Sequence, residues 1–220
     1  MILPPLTFPT SWPPSEPLWG PLPSAKYRVI LADPPWEFRT YSDKGHKKAP
    51  QAHYKCQSIE DICAIPVESI AADDAYLFLW VTWPTIFQAE RVIKAWGFEY
   101  SGLAWEWLKF NPLTGKFAFG GGYGTRKNCE PCLLAKRGNP GLPVSRSERD
   151  FMFSGTDTDY KYDASDPDTD ILFSPRREHS RKPDEQYARI DRMYSGPKIE
   201  LFARQRWPGW EAWGNEVGKF

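Results

Sequence analysis

The feature that most limits what this chain can become is the stretch Val29-Ile30-Leu31-Ala32-Asp33-Pro34-Pro35-Trp36. An unbroken apolar run is what a parallel strand needs when helices cover both its faces, so Val29 to Ala32 is predicted to be a buried strand. In open α/β sheets, sites gather beyond the carboxyl ends of the strands, and Asp33 falls there. The two prolines fix φ, donate no backbone hydrogen bond and hold the residue before each of them extended. Residues 33–36 therefore form a stiff corner that presents one acceptor and one flat ring to a planar substrate.

Strands and helices alternate after this corner. Ser58-Ile59-Glu60-Asp61 marks a helix start with an acidic first turn, ending near Pro66. Tyr76 to Thr82 reads as a second buried strand. Pro84 suits the first residue of a helix with Ile86, Phe87, Ile93 and Trp96 on its apolar face and Gly97 closing it. Phe98 to Phe110 returns to strand, with Leu103, Trp105 and Trp107 alternating against Ala104 and Glu106. Cys132 to Lys136, Asp170 to Phe173 and Ile199 to Ala203 are further strands. Asp184 to Tyr194 is a helix with Tyr187, Ile190 and Met193 inward, and Trp207 to Trp213 is an edge strand or a cover. The alternation implies an α/β fold, a Rossmann-like, mostly parallel open sheet flanked by helices.

At 220 residues the chain fits one domain with a proper core. Residues 1–24 carry prolines too densely for helix or central strand and read as an extended arm, leaving 25–220 as the domain. Residues 139–168, rich in Pro, Ser, Asp and Gly, read as an inserted loop. The formal charge is zero, so any hold on nucleic acid must come from local clusters. With no long apolar run and no signal sequence at the start, the expectation is a soluble, intracellular protein that does not enter a membrane.

Four further stretches stand in order after the corner: Tyr76-Leu77-Phe78-Leu79-Trp80-Val81-Thr82, Lys136-Arg137-Gly138-Asn139-Pro140, His179-Ser180-Arg181-Lys182-Pro183-Asp184-Glu185 and Lys198-Ile199-Glu200-Leu201-Phe202-Ala203-Arg204. Together with Asp33-Pro34-Pro35-Trp36 they resemble the family named after the MT-A subunit of the messenger-RNA adenosine methyltransferase, over roughly residues 27 to 217. The resemblance implies the class I methyltransferase fold in permuted motif order and S-adenosylmethionine as cofactor. It also implies methyl transfer to the 6-amino group of adenine in nucleic acid. Likeness to compact microbial and phage members favours DNA over RNA and a cytoplasmic location, the host's cytoplasm for a phage protein. A homodimer or a paired subunit stays open, as does the alternative of a catalytically silent nucleic-acid-binding subunit.

The residues give this chemistry a physical form. The amine of adenine is a poor nucleophile because its lone pair is delocalised into the ring, and an acceptor that hydrogen-bonds its N–H pair frees that lone pair. Asp33 can accept one N–H and the carbonyl of Pro34 the other, with no donor expected to compete, while Trp36 or an aromatic from the following loop stacks on the base. The main contributions are then positioning and acceptors placed where positive charge develops. By resemblance, Lys182 reaches the cofactor's polar end, Glu200 binds the ribose hydroxyls and Arg204 closes over them. Asn215 matches an asparagine of the family, whereas Glu216 stands in place of a glutamine. Tyr54 stands where the family has a tyrosine facing the base.

For the polynucleotide, the expected cations are Lys44, Lys47, Lys48, Arg176, Arg177 and Arg181. Gly120 to Lys127 lacks both the Rossmann glycine spacing and the P-loop pattern. It reads equally as a hairpin tip or as a loop that brings Arg126 and Lys127 to the backbone. Cys129-Glu130-Pro131-Cys132 could join His53 and Cys56 in a zinc site, but no second Cys-x-x-Cys exists and the segment runs straight into a strand, so no metal is assigned.

Overall fold

In a computed structural model, residues 19–37, 56–109, 124–125, 127–148, 151–154 and 181–220 are described. They build one seven-stranded sheet in the order β5-β3-β4-β2-β1-β6-β7. The strands are β1 (Tyr27–Ala32), β2 (Ala71–Trp80), β3 (Glu99–Lys109), β4 (Cys129–Arg137), β5 (Phe151–Ser154), β6 (Lys198–Leu201) and β7 (Glu211–Trp213). Only β4 among them runs against the others. The helices are α1 (Ile59–Ala64), α2 (Ile86–Ala95) and α3 (Glu185–Met193). None of these helices is long and apolar enough to cross a membrane.

β1 takes the centre because it is apolar on both faces, with Val29, Ile30, Leu31 and Ala32 all at most 1 % exposed. Ile30 and Ala32 join Leu77, Leu79, Ile199 and Leu201 beneath α1 and α2, while Val29 and Leu31 join Tyr76, Phe78 and Trp80 beneath α3. The alternation continues past the strand end and sets Asp33 on the α3 side. Leu31 lies opposite Glu200 on β6, so the two carboxylates share that side, with Asp33 two residues further toward the carboxyl end.

Helix boundaries follow local chemistry. The Ser58 hydroxyl accepts the Asp61 N–H at 3.1 Å and caps α1. Pro84 lies in a 3₁₀ turn, Trp83–Thr85, that feeds directly into α2. Gly97, at φ 80°, ends that helix, with the Phe98 N–H donating to the Ile93 carbonyl at 2.9 Å. Phe87 departs from its expected inward place and is 93 % exposed. Ala89, Val92 and Ile93 form the buried face instead, and Phe87 is set about 200° from Ala89 around the helix.

Three further details depart from the sequence reading or fall outside it. β5 adds a parallel edge strand next to β3 inside the stretch taken as a loop. The strand expected at Asp170 to Phe173 lies outside the described residues. The end of the proline-rich segment is packed against the domain: Trp19 meets Phe202 edge-on at 5.0 Å, and Trp213 Nε1 donates to the Gly20 carbonyl at 2.9 Å.

Phe202, the residue after β6, sits at φ 62° although it is not glycine. Such a conformation costs on the order of 1–3 kcal/mol and persists only where packing imposes it. Here the packing is the ring cluster of Trp19, Trp96 and Trp213. The turn is closed from the other side by Gly214, where a Cβ would lie 2.4 Å from the Ala203 carbonyl oxygen and 2.7 Å from its nitrogen. Gly214→Ala is expected to lower the unfolding free energy by about 2 kcal/mol or more in urea titration, because backbone must move to make room.

Candidate active site

Three strand ends meet beyond the sheet. The chain leaves β1 at Ala32 and turns tightly, with the Trp36 N–H donating to the Pro34 carbonyl at 2.8 Å. The Trp36 indole is 4 % exposed, and its Nε1 donates to the Trp80 carbonyl at the end of β2 at 2.8 Å. The corner is clamped again by Gln57, whose N–H donates to the Pro35 carbonyl at 2.8 Å while its carbonyl accepts the Glu37 N–H at 3.1 Å. Lys47, Lys48 and Tyr54 lie outside the described residues.

Two expectations change here. Trp36 is not a surface for stacking: its ring is packed in the core and holds the corner to β2. The corner oxygens also have resident donors, Trp36 N–H on Pro34 and Lys182 Nζ on Asp33 Oδ2 at 2.7 Å. A buried corner cannot leave its polar groups unpaired, so the structure supplies partners from within.

Lys182 precedes α3 and projects under the corner, 8 % exposed overall. Its ammonium also lies 3.4 Å from Glu130 Oε2 and 5.3 Å from the centre of the Trp80 ring. Lys109, from the end of β3, pairs with Glu130 Oε1. The result is a row of alternating charge along the strand ends: Lys109, Glu130, Lys182, Asp33. Burial by itself would raise the Glu130 pKa, but Lys182 and Lys109 outweigh it and hold the group at about 2. Burial would likewise favour the neutral amine of Lys182, and Asp33 and Glu130 outweigh that and raise its pKa.

Beside this row opens a cleft lined by Asp33, Lys182, Tyr187, Glu200, Phe202, Arg204 and Phe220, among others. Glu200 Oε2 accepts the Tyr187 hydroxyl at 2.8 Å, and Gln205 Nε2 donates to the Tyr187 oxygen at 3.2 Å. The Phe220 ring lies beneath two guanidiniums, Arg181 at 4.8 Å and Arg204 at 5.2 Å. Burial raises the Glu200 pKa to about 7 and the Asp33 charge adds to this, against the Tyr187 hydrogen bond and the Arg204 and Lys182 cations.

Asp33, Lys182, Glu200 and Arg204 thus come together. Asn215 is exposed and Glu216 pairs with Lys219 at 2.6 Å, and neither lines the cleft. Lys127 is exposed just before β4, at the same sheet end as Asp33 because β4 runs in reverse. Arg126, Arg176 and Arg177 lie outside the described residues. Cys132 is fully buried among the rings on the α3 side, while Cys129 Sγ accepts Trp83 Nε1 at 3.4 Å.

Sequence reasoning missed Glu130, Lys109, Tyr187 as a polar partner, Gln205 and Phe220. Two signals could have found the first pair: Glu130 alternates with the buried Cys132 on β4, and Lys109 follows Trp105 and Trp107 at period two on β3.

The cleft gathers a strand-end carboxylate, an ammonium, two guanidiniums and two phenyl rings, groups able to hold hydroxyls, an ionic group and a flat ring. Comparison with known proteins identifies relatives. Residues 27–216 match the MT-A70 family. The chain is 30 % identical to the type II methyltransferase M.MunI of Mycoplasma sp, over 93 % of this chain and 83 % of that protein. It is 30 % identical to mouse N(6)-adenine-specific methyltransferase METTL4 and to human N(6)-adenosine-methyltransferase catalytic subunit METTL3, over 88 % and 87 % of this chain. Of those two proteins it spans only 38 % and 28 % of the length.

Two outcomes follow. Trp36→Phe keeps the ring but strands the Trp80 carbonyl, and should cost about 1–3 kcal/mol in denaturant unfolding; an unchanged midpoint contradicts the anchoring role. Glu200 has its folded pKa raised, so its contribution to stability is complete below the ordinary carboxylate value of 4.5 and is lost as pH climbs through about 7. The stability of the wild type relative to Glu200→Gln should fall by about 3 kcal/mol across that window, read by unfolding at several pH values.

Proposed function

The chain belongs to the MT-A70 family, and on that premise we propose that it transfers a methyl group from S-adenosylmethionine to the exocyclic 6-amino group of adenine in a polynucleotide. The observation that carries this reading is Asp33, an acceptor on a clamped corner, at the mouth of a cleft whose other wall holds Glu200. DNA is the proposed substrate, because the relative matched along most of both chains is the bacterial type II methyltransferase.

In this reading Glu200 holds the ribose hydroxyls, Arg204 and Phe220 cover the nucleoside and Lys182 lies toward the cofactor's polar end. The cofactor supplies an activated methyl on a sulfonium. Asp33 accepts one N–H of the amine. The Pro34 carbonyl accepts the other on its second lone pair, since the Trp36 N–H uses only one. Both oxygens lie where positive charge grows on nitrogen, and attack needs no strong base because the cationic product amine sheds its proton readily. The clamps at Trp36 and Gln57 keep the acceptors in place, which is where much of the rate comes from. The alternative of a silent nucleic-acid-binding subunit is disfavoured by the intact acceptor.

The test is incubation with a labelled methyl donor and separate DNA and RNA pools, followed by nucleoside analysis. Labelled N6-methyladenine should appear, from the DNA pool above the RNA pool. Asp33→Ala should lower transfer at least about 100-fold while leaving cofactor binding largely intact. Unchanged turnover in that variant refutes the acceptor role.

A further inference from the structure

Glu130 has no part in the reaction described so far, yet it stands at the middle of the charge row. Its oxygens are divided between two ammonium groups, Oε1 to Lys109 and Oε2 at 3.4 Å from Lys182 Nζ. The same Nζ stands 2.7 Å from Asp33 Oδ2, on the carboxylate that the adenine amine must use. With its side chain 7 % exposed, Lys182 has no ready route to water in exchange for Asp33. The other carboxylate within reach is Glu130, and an ordinary ion-pair distance to it needs a shift of only roughly half an ångström.

We propose that Glu130 is a positioning residue that draws the Lys182 ammonium off Asp33 when the substrate amine arrives, freeing the acceptor without leaving a buried cation unpaired. The proposal rests on the adenine-methyltransferase reading above. Its physical basis is that a buried ion pair is costly to break but cheap to exchange when a second partner is already in place. The charge of Glu130 matters more than its hydrogen-bonding capacity. A neutral amide at this position would leave Lys182 with Asp33 as its remaining ion-pair partner, fixing the ammonium on the acceptor carboxylate.

The groups facing the Lys182 ammonium are Asp33 at the end of β1, Glu130 and the buried Cys132 thiol on β4 with Lys109 of β3 behind them, the Trp80 ring on β2, Glu200 on β6 and Arg204 after it. Loss of the Glu130 charge removes one of two carboxylates that hold the proton on Lys182 and leaves the Lys109 and Arg204 cations nearby. The lysine then gives up its proton at lower pH. A neutral Lys182 no longer competes for Asp33.

The experiment measures kcat against pH for the wild type, Glu130→Gln and Glu130→Asp on the DNA pool, together with calorimetric binding of S-adenosylhomocysteine. At about pH 7, Glu130→Gln should lower kcat roughly 10- to 100-fold, as expected when a reacting group is held out of place. S-adenosylhomocysteine binding should change by no more than about twofold, since Glu130 does not line the cofactor cleft. The kcat of Glu130→Gln should then climb as pH rises into the alkaline range, a rise absent from the wild type and from Glu130→Asp, which keeps the charge. A loss independent of pH in Glu130→Gln overturns the proposal, as does the same alkaline rise in Glu130→Asp or an unaltered rate in Glu130→Gln. Should Glu130→Gln not fold, the shorter Glu130→Asp carries the test. Because Glu130→Asp keeps the charge, a kcat within a few-fold of the wild type with intact S-adenosylhomocysteine binding supports the proposal, and a pH-independent loss of more than about tenfold overturns it. No transfer by the wild type would instead sink the underlying function.

Discussion

A carboxylate at the end of a strand buried on both faces has to be compensated, and Lys182 is the compensation for Asp33. That single ion pair, 2.7 Å long, organises the mouth of the sheet. It brings the start of α3 against the end of β1. It also places an ammonium over the Trp80 ring and obliges β4 to supply a second carboxylate, which in turn calls in Lys109 from β3. Alternation of sign lets four charges sit side by side where any one alone would be strongly disfavoured.

The stiffness of the corner comes from the backbone rather than from the charges. Proline restricts the corner, but the turn is fixed by three hydrogen bonds: Trp36 N–H to Pro34, Gln57 N–H to Pro35 and the Trp36 indole to Trp80. On the neighbouring strand, Phe202 adopts a left-handed conformation held by Trp19, Trp96 and Trp213, and the chain doubles back so that Arg204 and Phe220 face the cleft. The rings of Trp19, Trp36, Phe202 and Trp213 thus hold loops beyond strand ends, and the loops carry the site.

Much of this was legible in the sequence, and what was hidden shares one cause. Apolar runs marked β1, β2 and β6 because central parallel strands have little freedom in composition. Asp33 could be placed because it ends such a run, and Glu200 through the resemblance of the motif around it. Trp36 was misread because a ring beside a polar corner looks the same whether it faces solvent or core; only the Trp80 carbonyl decides. Phe87 was misread because the buried arc of α2 is set by the sheet beneath it. Lys182 was found through its surrounding motif, but its partner was not, since contact with Asp33 and Glu130 arises from three separate elements that only folding brings together. Glu130 was hidden behind the two cysteines that flank it.

The central claim is that Asp33 and the Pro34 carbonyl face the methyl of a cofactor seated on Glu200. A crystal structure with bound S-adenosylhomocysteine tests it most directly. The account predicts the ribose hydroxyls on the Glu200 carboxylate and the sulfur turned toward the Asp33-Pro34 corner, with room between for an amine. A cofactor product bound in another part of the fold, or in this cleft with its sulfur pointing away from that corner, contradicts it.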